Sequence, residues 1–171
     1  EQIFQSGTIR YFYTISRFHN PLGMSYPDSV KKKIVELAEK YQVYIIEDDY
    51  DSEFKYTGRP IPALKANDIN DKVIYLGSFS KSISPAIRVS YLVLPKALLN
   101  IYQKELPYFI CPVPTLNQKI LYRFIKDGYF VKHINKMRTL YKKKREFLVN
   151  TIKTYSSKIL NKEIQIQGAD A

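Results

Sequence analysis

Cysteine, tryptophan and histidine are scarce in this sequence, and long apolar runs are absent. Of 171 residues one is cysteine (Cys111), two are histidine and none is tryptophan. A single cysteine excludes an intrachain disulfide framework and a cysteine-rich metal site. No apolar run approaches the ~20 residues that cross a bilayer, and the first ten residues lack the order of a signal peptide. We therefore expect a soluble, cytoplasmic protein with no membrane partner. A first residue other than Met also suggests a piece of a longer chain.

Acidic residues are in the minority too, so the chain carries a formal net charge of +11. A basic surface attracts phosphate, which makes a nucleic-acid partner one interpretation of this excess. The lysines are scattered, however. The runs at 31–33 and 142–144 fall on the predicted outer faces of helices, where charge is normally solvated. We therefore predict no DNA-binding surface within these residues. The 45% hydrophobic and 14% aromatic content is typical of a globular fold.

Short β-branched and aromatic runs alternate with helical patterns over the first part of the chain. They predict buried strands at 9–15, 43–46, 73–76 and 89–94, and an amphipathic helix at 27–41. The connection between the last two strands is short for a parallel crossover, so the final strand is predicted to run antiparallel. The fold class is α/β, with a mostly parallel sheet and helices on both faces.

After Pro95 the pattern becomes helical. Thr115 is predicted to cap a helix that ends at Gly128. A helix with a long apolar stripe follows from Phe130 to Ile152, and its length suggests that it leaves one domain and enters another. Residues 163–167 alternate between polar and apolar like an edge strand.

Lys81 lies between two of the predicted strands, at the end of Ser78-Phe79-Ser80-Lys81. A lysine held among small residues at a sheet end is partly desolvated, which favours the neutral amine that attacks a carbonyl carbon. The alternative interpretation is a solvated charge in a turn. The same four residues match the Ser-x-x-Lys signature of penicillin-binding enzymes, but the Ser-Asp-Asn and Lys-Thr-Gly partners of that signature do not occur in the sequence.

The predicted strand ends supply a set of polar residues whose types suit one cofactor, pyridoxal phosphate. A lysine binds its aldehyde as an aldimine, a carboxylate keeps its pyridine nitrogen protonated, and an amide and a phenol donate to its phenolate oxygen. Arginine and a serine hydroxyl suit the phosphate. The set consists of Asn20, Asp48, Tyr50, Ser78, Lys81 and Arg88. The acidic run at 47–51 has a competing interpretation as a magnesium or calcium site, although it lacks the spacing of a calcium loop.

Three segments carry a resemblance to a known family. They are Asn20-Pro21-Leu22-Gly23, EDDYDSEFKYTGRPIPALK at 47–65 and VIYLGSFSKSISPAIRVSYLVLP at 73–95. With them the chain resembles fold-type I pyridoxal-phosphate aminotransferases of class I/II, and specifically the aminotransferase-like domain of MocR/GabR-type regulators of the GntR family. The resemblance implies a partial cofactor-binding large domain over 1–128. An interdomain helix and the start of a small C-terminal α+β domain then occupy 129–171.

The resemblance also implies a role for each motif residue. Lys81 is the aldimine lysine, Asp48 faces the pyridine nitrogen, and Asn20 and Tyr50 face the phenolate oxygen, so that Lys81, Asp48 and Tyr50 carry the catalytic roles. Asp49 remains the alternative to Asp48. No metal is expected. The residues implied at the phosphate are Arg88 and Ser78, with Ser80 as a further candidate.

Other parts of the family's pattern are expected outside this sequence. These are the winged-helix DNA-binding domain, the glycine-rich phosphate cup, the aromatic residue that stacks on the ring and the small-domain arginine that binds a substrate carboxylate. DNA contact, a homodimer and an amino acid or amine ligand are therefore expected of the full-length protein. The segment alone is expected to be inactive and to bind cofactor weakly. Two functions follow from the resemblance, the effector-sensing domain of a regulator or a catalytic aminotransferase.

Overall fold

A four-stranded sheet forms the centre of the protein. The computed structural model describes residues 1–56, 58–160 and 166. The strands are β1 (Tyr11–Thr14), β2 (Tyr44–Asp49), β3 (Val73–Ser78) and β4 (Ser90–Val93), and they lie side by side in chain order. β1, β2 and β3 are parallel, whereas β4 pairs antiparallel with β3. The predicted α/β class and the antiparallel direction of the last strand are both confirmed.

Helices connect and follow these strands. Short 3-10 turns lie at Ser52–Phe54, Lys65–Asn67 and Pro85–Ile87, and a π-helical turn, Ser156–Leu160, follows the last helix. No helix in the described part of the chain is both long and apolar enough to cross a membrane. The helices are α1 (Gln2–Gln5), α2 (Asp28–Lys40), α3 (Lys96–Glu105), α4 (Thr115–Lys126) and α5 (Tyr129–Tyr155).

The main core lies between α2 and one face of the sheet. Val35 and Ala38 of α2 pack there with Ile45 of β2 and Val73 of β3, and Leu64 closes one side of the cluster. Full burial of one such aliphatic side chain contributes about 1.5–3 kcal/mol. This face fixes the orientation of β2, because alternate residues of a strand point to opposite sides of the sheet.

Two of the strands predicted to be buried, β1 and β4, are largely exposed. Tyr11 and Tyr13 of β1 are 66% and 53% exposed, and every residue of β4 is exposed. β1 and β4 are the two edge strands of the described sheet, and α2 covers only one of its faces. A short apolar run does not reveal which of its faces another element covers.

Lys31 was expected to face solvent with Lys32 and Lys33, and this expectation is wrong. The Lys31 side chain is fully buried, and its Nζ donates to the Pro62 carbonyl at 2.7 Å. Burial lowers the pKa of the Lys31 amine. The lysine thus joins the first turn of α2 to the loop before the Lys65–Asn67 turn.

The C-terminal helices match their predicted positions but not their predicted cap. Thr115 is the first residue of α4, Pro114 occupies the N-cap, and no side chain caps this helix end. Gly128 ends α4 as expected and has a φ of +79°, a left-handed conformation that glycine adopts without strain. The predicted edge strand at 163–167 lies outside the described residues except for Ile166, which is not in a strand.

Candidate functional site

The carboxyl ends of the parallel strands define one edge of the sheet. Segments that follow β1, β2 and β3 meet at this edge, where ligands bind in open α/β sheets. A cavity of about 290 Å³ lies there, and its lining includes Asn20, Tyr50, Asp51 and Lys81. The structure therefore brings together three of the residues singled out in the sequence and adds a fourth.

Lys81 lies in the loop between β3 and β4. The Phe79 N–H donates to the Val89 carbonyl at 3.0 Å and closes the base of this loop, and the Ile83 N–H donates to the Phe79 carbonyl at 2.9 Å. The resulting turn holds Lys81 at its surface, and the lysine side chain is 53% exposed. The expected desolvation of Lys81 is therefore not seen among the described residues, because half of its side chain faces solvent.

An ion pair joins Lys81 to Asp51. The Lys81 Nζ donates to Asp51 Oδ2 and lies 5.0 Å from the centre of the Tyr50 ring. Asp51 is buried, and its Oδ1 has no hydrogen-bond partner among the described residues. Burial raises the pKa of the Asp51 carboxyl, and the hydrogen bond from Lys81 opposes this shift. Sequence reasoning missed Asp51, because nothing in an acidic run tells which of its members meets the lysine.

Tyr50 and Asn20 complete the mouth of the cavity. The Tyr50 hydroxyl donates to the Phe18 carbonyl at 3.0 Å, which fixes the ring beside the turn that carries Asn20. Burial raises the pKa of the Tyr50 phenol, so the hydroxyl stays a hydrogen-bond donor at neutral pH. Asn20 is exposed. Its amide is therefore accessible to a ligand in the cavity.

The two adjacent aspartates of β2 point to opposite faces of the sheet. Asp48 lies on the face that α2 does not cover, where the Tyr13 hydroxyl donates to its Oδ2 at 2.5 Å. This bond, with burial and the nearby charge of Asp48, raises the pKa of Tyr13 to about 12. Asp48 is not among the residues that line the cavity, so its predicted contact with a bound ring remains a prediction.

Asp49 belongs to a buried network on the covered face. Its Oδ2 accepts hydrogen bonds from Arg17, Tyr75 and Ser52. Burial and the Asp49 carboxylate together raise the pKa of the Tyr75 phenol. The Arg17 side chain also donates to the Ile61 carbonyl at 3.0 Å. The Asp49 carboxylate therefore has a structural role in a buried network. Asp48, in contrast, lies on the face of the sheet that α2 does not cover.

The predicted phosphate residues lie on the Lys81 loop and are not part of the cavity lining. Ser78 ends β3, and its Oγ accepts a hydrogen bond from the Ser80 N–H at 3.1 Å. Arg88 is exposed, has a φ of +49° and makes no hydrogen bond or ion pair with the described residues. Its guanidinium is consequently available to an anion. Its contact with a phosphate remains a prediction.

The acidic run does not converge on one point. Glu47 is fully buried and accepts hydrogen bonds from the Ser16 hydroxyl and from the Leu64 and Lys65 N–H groups. Asp48 lies on the opposite face and Asp51 meets Lys81. Among the described residues, no three His, Cys, Asp or Glu side chains form a group that could hold a metal ion.

Both loops at the site contact α5. Phe79, at the base of the Lys81 loop, packs edge-on against Phe130 with ring centres 6.0 Å apart. Arg138 donates twice to the Glu53 carbonyl, at 3.1 and 2.8 Å, in the turn that follows Asp51. The long helix thus contacts both segments that carry the Lys81–Asp51 pair.

A mostly parallel sheet with an antiparallel last strand, a lysine loop at its carboxyl edge and a long C-terminal helix define a class, the fold-type I aminotransferases. The model of the aminotransferase class I and II family matches residues 12–167. The chain belongs to this family, as its motifs indicated.

Similar proteins include both regulators and enzymes. The uncharacterized HTH-type transcriptional regulator YdeL of Bacillus subtilis is 40% identical over 81% of this chain and 29% of its own length. The probable rhizopine catabolism regulatory protein MocR of Rhizobium meliloti is 33% identical over 75% of this chain and 26% of its own length. The resemblance to MocR-type regulators is confirmed, and the chain spans about a third or less of these relatives.

A solved structure of an enzyme also superposes well. Kynurenine aminotransferase of Pyrococcus horikoshii, in complex with PMP, has a TM-score of 0.78 and 29% sequence identity. The match covers 88% of this chain and 38% of the enzyme chain.

Proposed function

We propose that this chain is the pyridoxal-phosphate-binding core of the effector-sensing domain of a MocR/GabR-type transcription regulator. The observation that carries the proposal is the cavity at the carboxyl edge of the sheet, where Lys81, Tyr50 and Asn20 meet. In the regulator, residues 1–128 form part of the large domain, and 129–171 lead into a small domain. DNA is bound by a separate winged-helix domain of the homodimer, in the cytoplasm.

The residues at this edge suit pyridoxal phosphate. Lys81 offers an accessible primary amine beside a cavity of about 290 Å³, at the lower end of the size of small-ligand sites. Asp48 offers a carboxylate on the open face of the sheet, and Arg88 offers a guanidinium without an ion-pair partner in the described chain. A charged acceptor for a ring nitrogen and a charged donor for a phosphate are the groups this cofactor requires.

Each residue then has a distinct task. When bound, pyridoxal phosphate supplies an aldehyde that bonds to amines and a ring that accepts electrons. Lys81 would hold the aldehyde carbon, and the Asp48 carboxylate would accept a hydrogen bond from the protonated ring nitrogen. Tyr50 and Asn20 donate to the ring oxygen. Arg88, with Ser78 and Ser80, binds the phosphate.

Sensing follows from the exchange of one amine for another. An incoming amino compound would take the place of Lys81 on the cofactor, and the released lysine and its loop would then change their contacts with the rest of the domain. A ligand shifts a conformational equilibrium only through a difference in its affinity for the two states. The release of Lys81 supplies such a difference, because the lysine side chain is free to make new contacts only in the amine-bound state.

A catalytic aminotransferase is the second candidate function, and the likeness to a kynurenine aminotransferase favours it. In that case the freed Lys81 moves a proton to and from the substrate carbon as a general base. Incubation of the full-length protein with an amino acid and a keto acid separates the two functions. Repeated turnover supports the enzyme, whereas a spectral change without turnover, coupled to altered operator binding, supports the sensor.

Replacement of the lysine tests the shared core of both proposals. In the full-length protein, Lys81→Ala is expected to abolish the covalent, borohydride-reducible attachment of pyridoxal phosphate while retaining weaker non-covalent binding. Lys33→Ala removes an exposed lysine of α2 and is the matched control. Mass spectrometry after borohydride reduction locates the modified residue. Attachment that persists in Lys81→Ala would assign the role to another lysine.

A further inference from the structure

Asp51 is the unexpected member of the site. Its carboxylate is buried, with a side chain only 10% exposed, yet it faces the half-exposed amine of Lys81. One oxygen accepts the lysine N–H, and the other is buried and has no hydrogen-bond partner in the part of the chain that the structure describes. Both residues line the cavity at the sheet edge. A buried carboxylate that loses its only cation partner is strongly disfavoured.

We infer that Asp51 is the acceptor that holds Lys81 when the lysine is not bonded to the cofactor, and that this ion pair favours the amine-bound state of the domain. The inference rests on the proposed function. In the structure the Lys81 ammonium donates to the Asp51 carboxylate. A covalent bond from Lys81 to an aldehyde in the cavity leaves Nζ with one N–H in place of the three of the ammonium group, and holds that N–H in the plane of the new double bond, which weakens this pair.

The exchange of amines conserves atoms and charge. The incoming ammonium forms a carbon–nitrogen double bond to the aldehyde carbon, the bond from that carbon to Lys81 Nζ breaks, and two hydrogens pass from the incoming nitrogen to Nζ. Lys81 leaves as an ammonium group and Asp51 accepts its hydrogen bond. The free energy of the ion pair is thus gained only when the amine binds.

The other charges around Asp51 do not provide an equivalent partner. Burial and the negative charge of Asp49 raise the pKa of the Asp51 carboxyl, whereas Lys81 and Arg17 lower it. Arg17 already donates to Asp49, Tyr75 and the Ile61 carbonyl. Glu53, two residues further on, contributes a second acid rather than a cation. Lys81 is the one cation whose hydrogen bond to Asp51 the described chain contains.

The first experiment uses the cofactor-free full-length protein and acetic anhydride, which acylates neutral amines. Asp51→Asn is expected to raise the acylation rate of Lys81 at neutral pH by about three- to tenfold, because the ammonium loses its charged acceptor while remaining half-exposed. Glu53→Gln removes a neighbouring carboxylate that does not touch Lys81, and is expected to leave the rate within about twofold. An unchanged or lower rate in Asp51→Asn would overturn the inference.

The second experiment titrates the protein loaded with pyridoxal phosphate with methylamine and follows release of Lys81 by borohydride trapping. Asp51→Asn is expected to raise the methylamine midpoint by about three- to tenfold, since the freed lysine has no acceptor. Asp51→Glu, which keeps a carboxylate, is expected to restore much of the difference. An equal or lower midpoint in Asp51→Asn contradicts the inference.

One further variant covers the case in which Asp51→Asn does not fold. Lys81→Met leaves Asp51 without its cation, so it is expected to lower the unfolding midpoint of the cofactor-free protein more than Lys33→Met does. Equal midpoints would contradict the inference. If the wild-type protein never attaches pyridoxal phosphate at Lys81, the proposed function fails, whereas attachment with unchanged acylation and midpoints in Asp51→Asn refutes only the role of Asp51.

Discussion

Two neighbouring aspartates of β2 have different surroundings because successive residues of a strand face opposite sides of the sheet. Asp48 is on the open face with one exposed partner, Tyr13, whereas Asp49 is buried with Arg17. The sequence alone left both as candidates for the ring nitrogen. Because α2 covers the face that carries Asp49, Asp48 is the aspartate that a ligand can reach more easily.

The pair of variants Asp48→Asn and Asp49→Asn tests this assignment. Asp48→Asn is expected to weaken the response to amines by about one to two orders of magnitude with little loss of stability, since an ionised acceptor contributes about 1.5–3 kcal/mol. Asp49→Asn is expected to cost about 3–5 kcal/mol of stability, because Arg17 is left as an unpaired buried charge. Urea unfolding and amine-induced absorbance changes measure the two effects. The reverse pattern would make Asp49 the ring acid.

The titration of the Tyr13 phenol reports on the hydrogen bond between Tyr13 and the Asp48 carboxylate. Its pKa of about 12 exceeds the ordinary value of 10.0, so its bond to Asp48 is intact below pH 10 and is lost as the pH rises through 12. In Asp48→Asn the Tyr13 pKa is expected to fall back towards 10. Tyrosine-selective NMR titration, with Tyr13→Phe to identify the signal, makes the measurement. A Tyr13 signal that titrates identically in both proteins would show that this hydrogen bond is absent in solution.

At the scale of elements, the positions of the four strands and of α2, α4 and α5 followed from the sequence, whereas α1 and α3 were not predicted individually. Short β-branched runs located all four strands, and the short connection before β4 predicted its direction. The strong helical periodicity of α4 and α5 predicted both, with Gly128 between them. These features depend on local sequence, which is why they could be predicted.

Burial could not be predicted in the same way. The exposure of β1 and β4 and the burial of Lys31 depend on which element packs against which face. Contacts at the site could not be predicted either. The motifs singled out Lys81, Tyr50 and Asn20, but the ion pair between Lys81 and Asp51 forms only where the segments after β2 and β3 meet. Side-chain partners across a sheet edge are tertiary contacts that no local pattern contains.

At the scale of the whole molecule, α5 connects the two loops of the site. Phe130 packs against Phe79 below Lys81, and Arg138 binds the Glu53 carbonyl beside Asp51. The same helix continues to Tyr155. A single helix therefore contacts both segments that carry the Lys81–Asp51 pair and extends beyond them.

Loss of the Phe130 ring tests this connection. Phe130→Ala removes the edge-on contact with Phe79. Hydrogen exchange of the backbone amides at 79–89 is therefore expected to accelerate in the cofactor-free protein. The free energy of local opening should fall by about 0.5–1.5 kcal/mol, the contribution of the lost aromatic pair. Val131→Ala, on the exposed side of the same helix, is the control. Mass spectrometry of exchange reports both. Equal protection of 79–89 in the two variants would show that α5 does not hold the loop.

The contacts of α5 also have a thermodynamic consequence that runs in both directions. Suppose that replacement of Lys81 by an incoming amine changes the position that α5 prefers. A neighbouring domain or second subunit that binds one position of α5 then binds more or less tightly when the amine is present. By reciprocity, that domain or subunit changes the affinity for the amine by the same factor. One coupling free energy then describes both the effect of the amine on the docking of α5 and the effect of that docking on amine affinity. An operator or subunit that selects one position of this helix would thereby set the concentration at which the protein responds to its ligand.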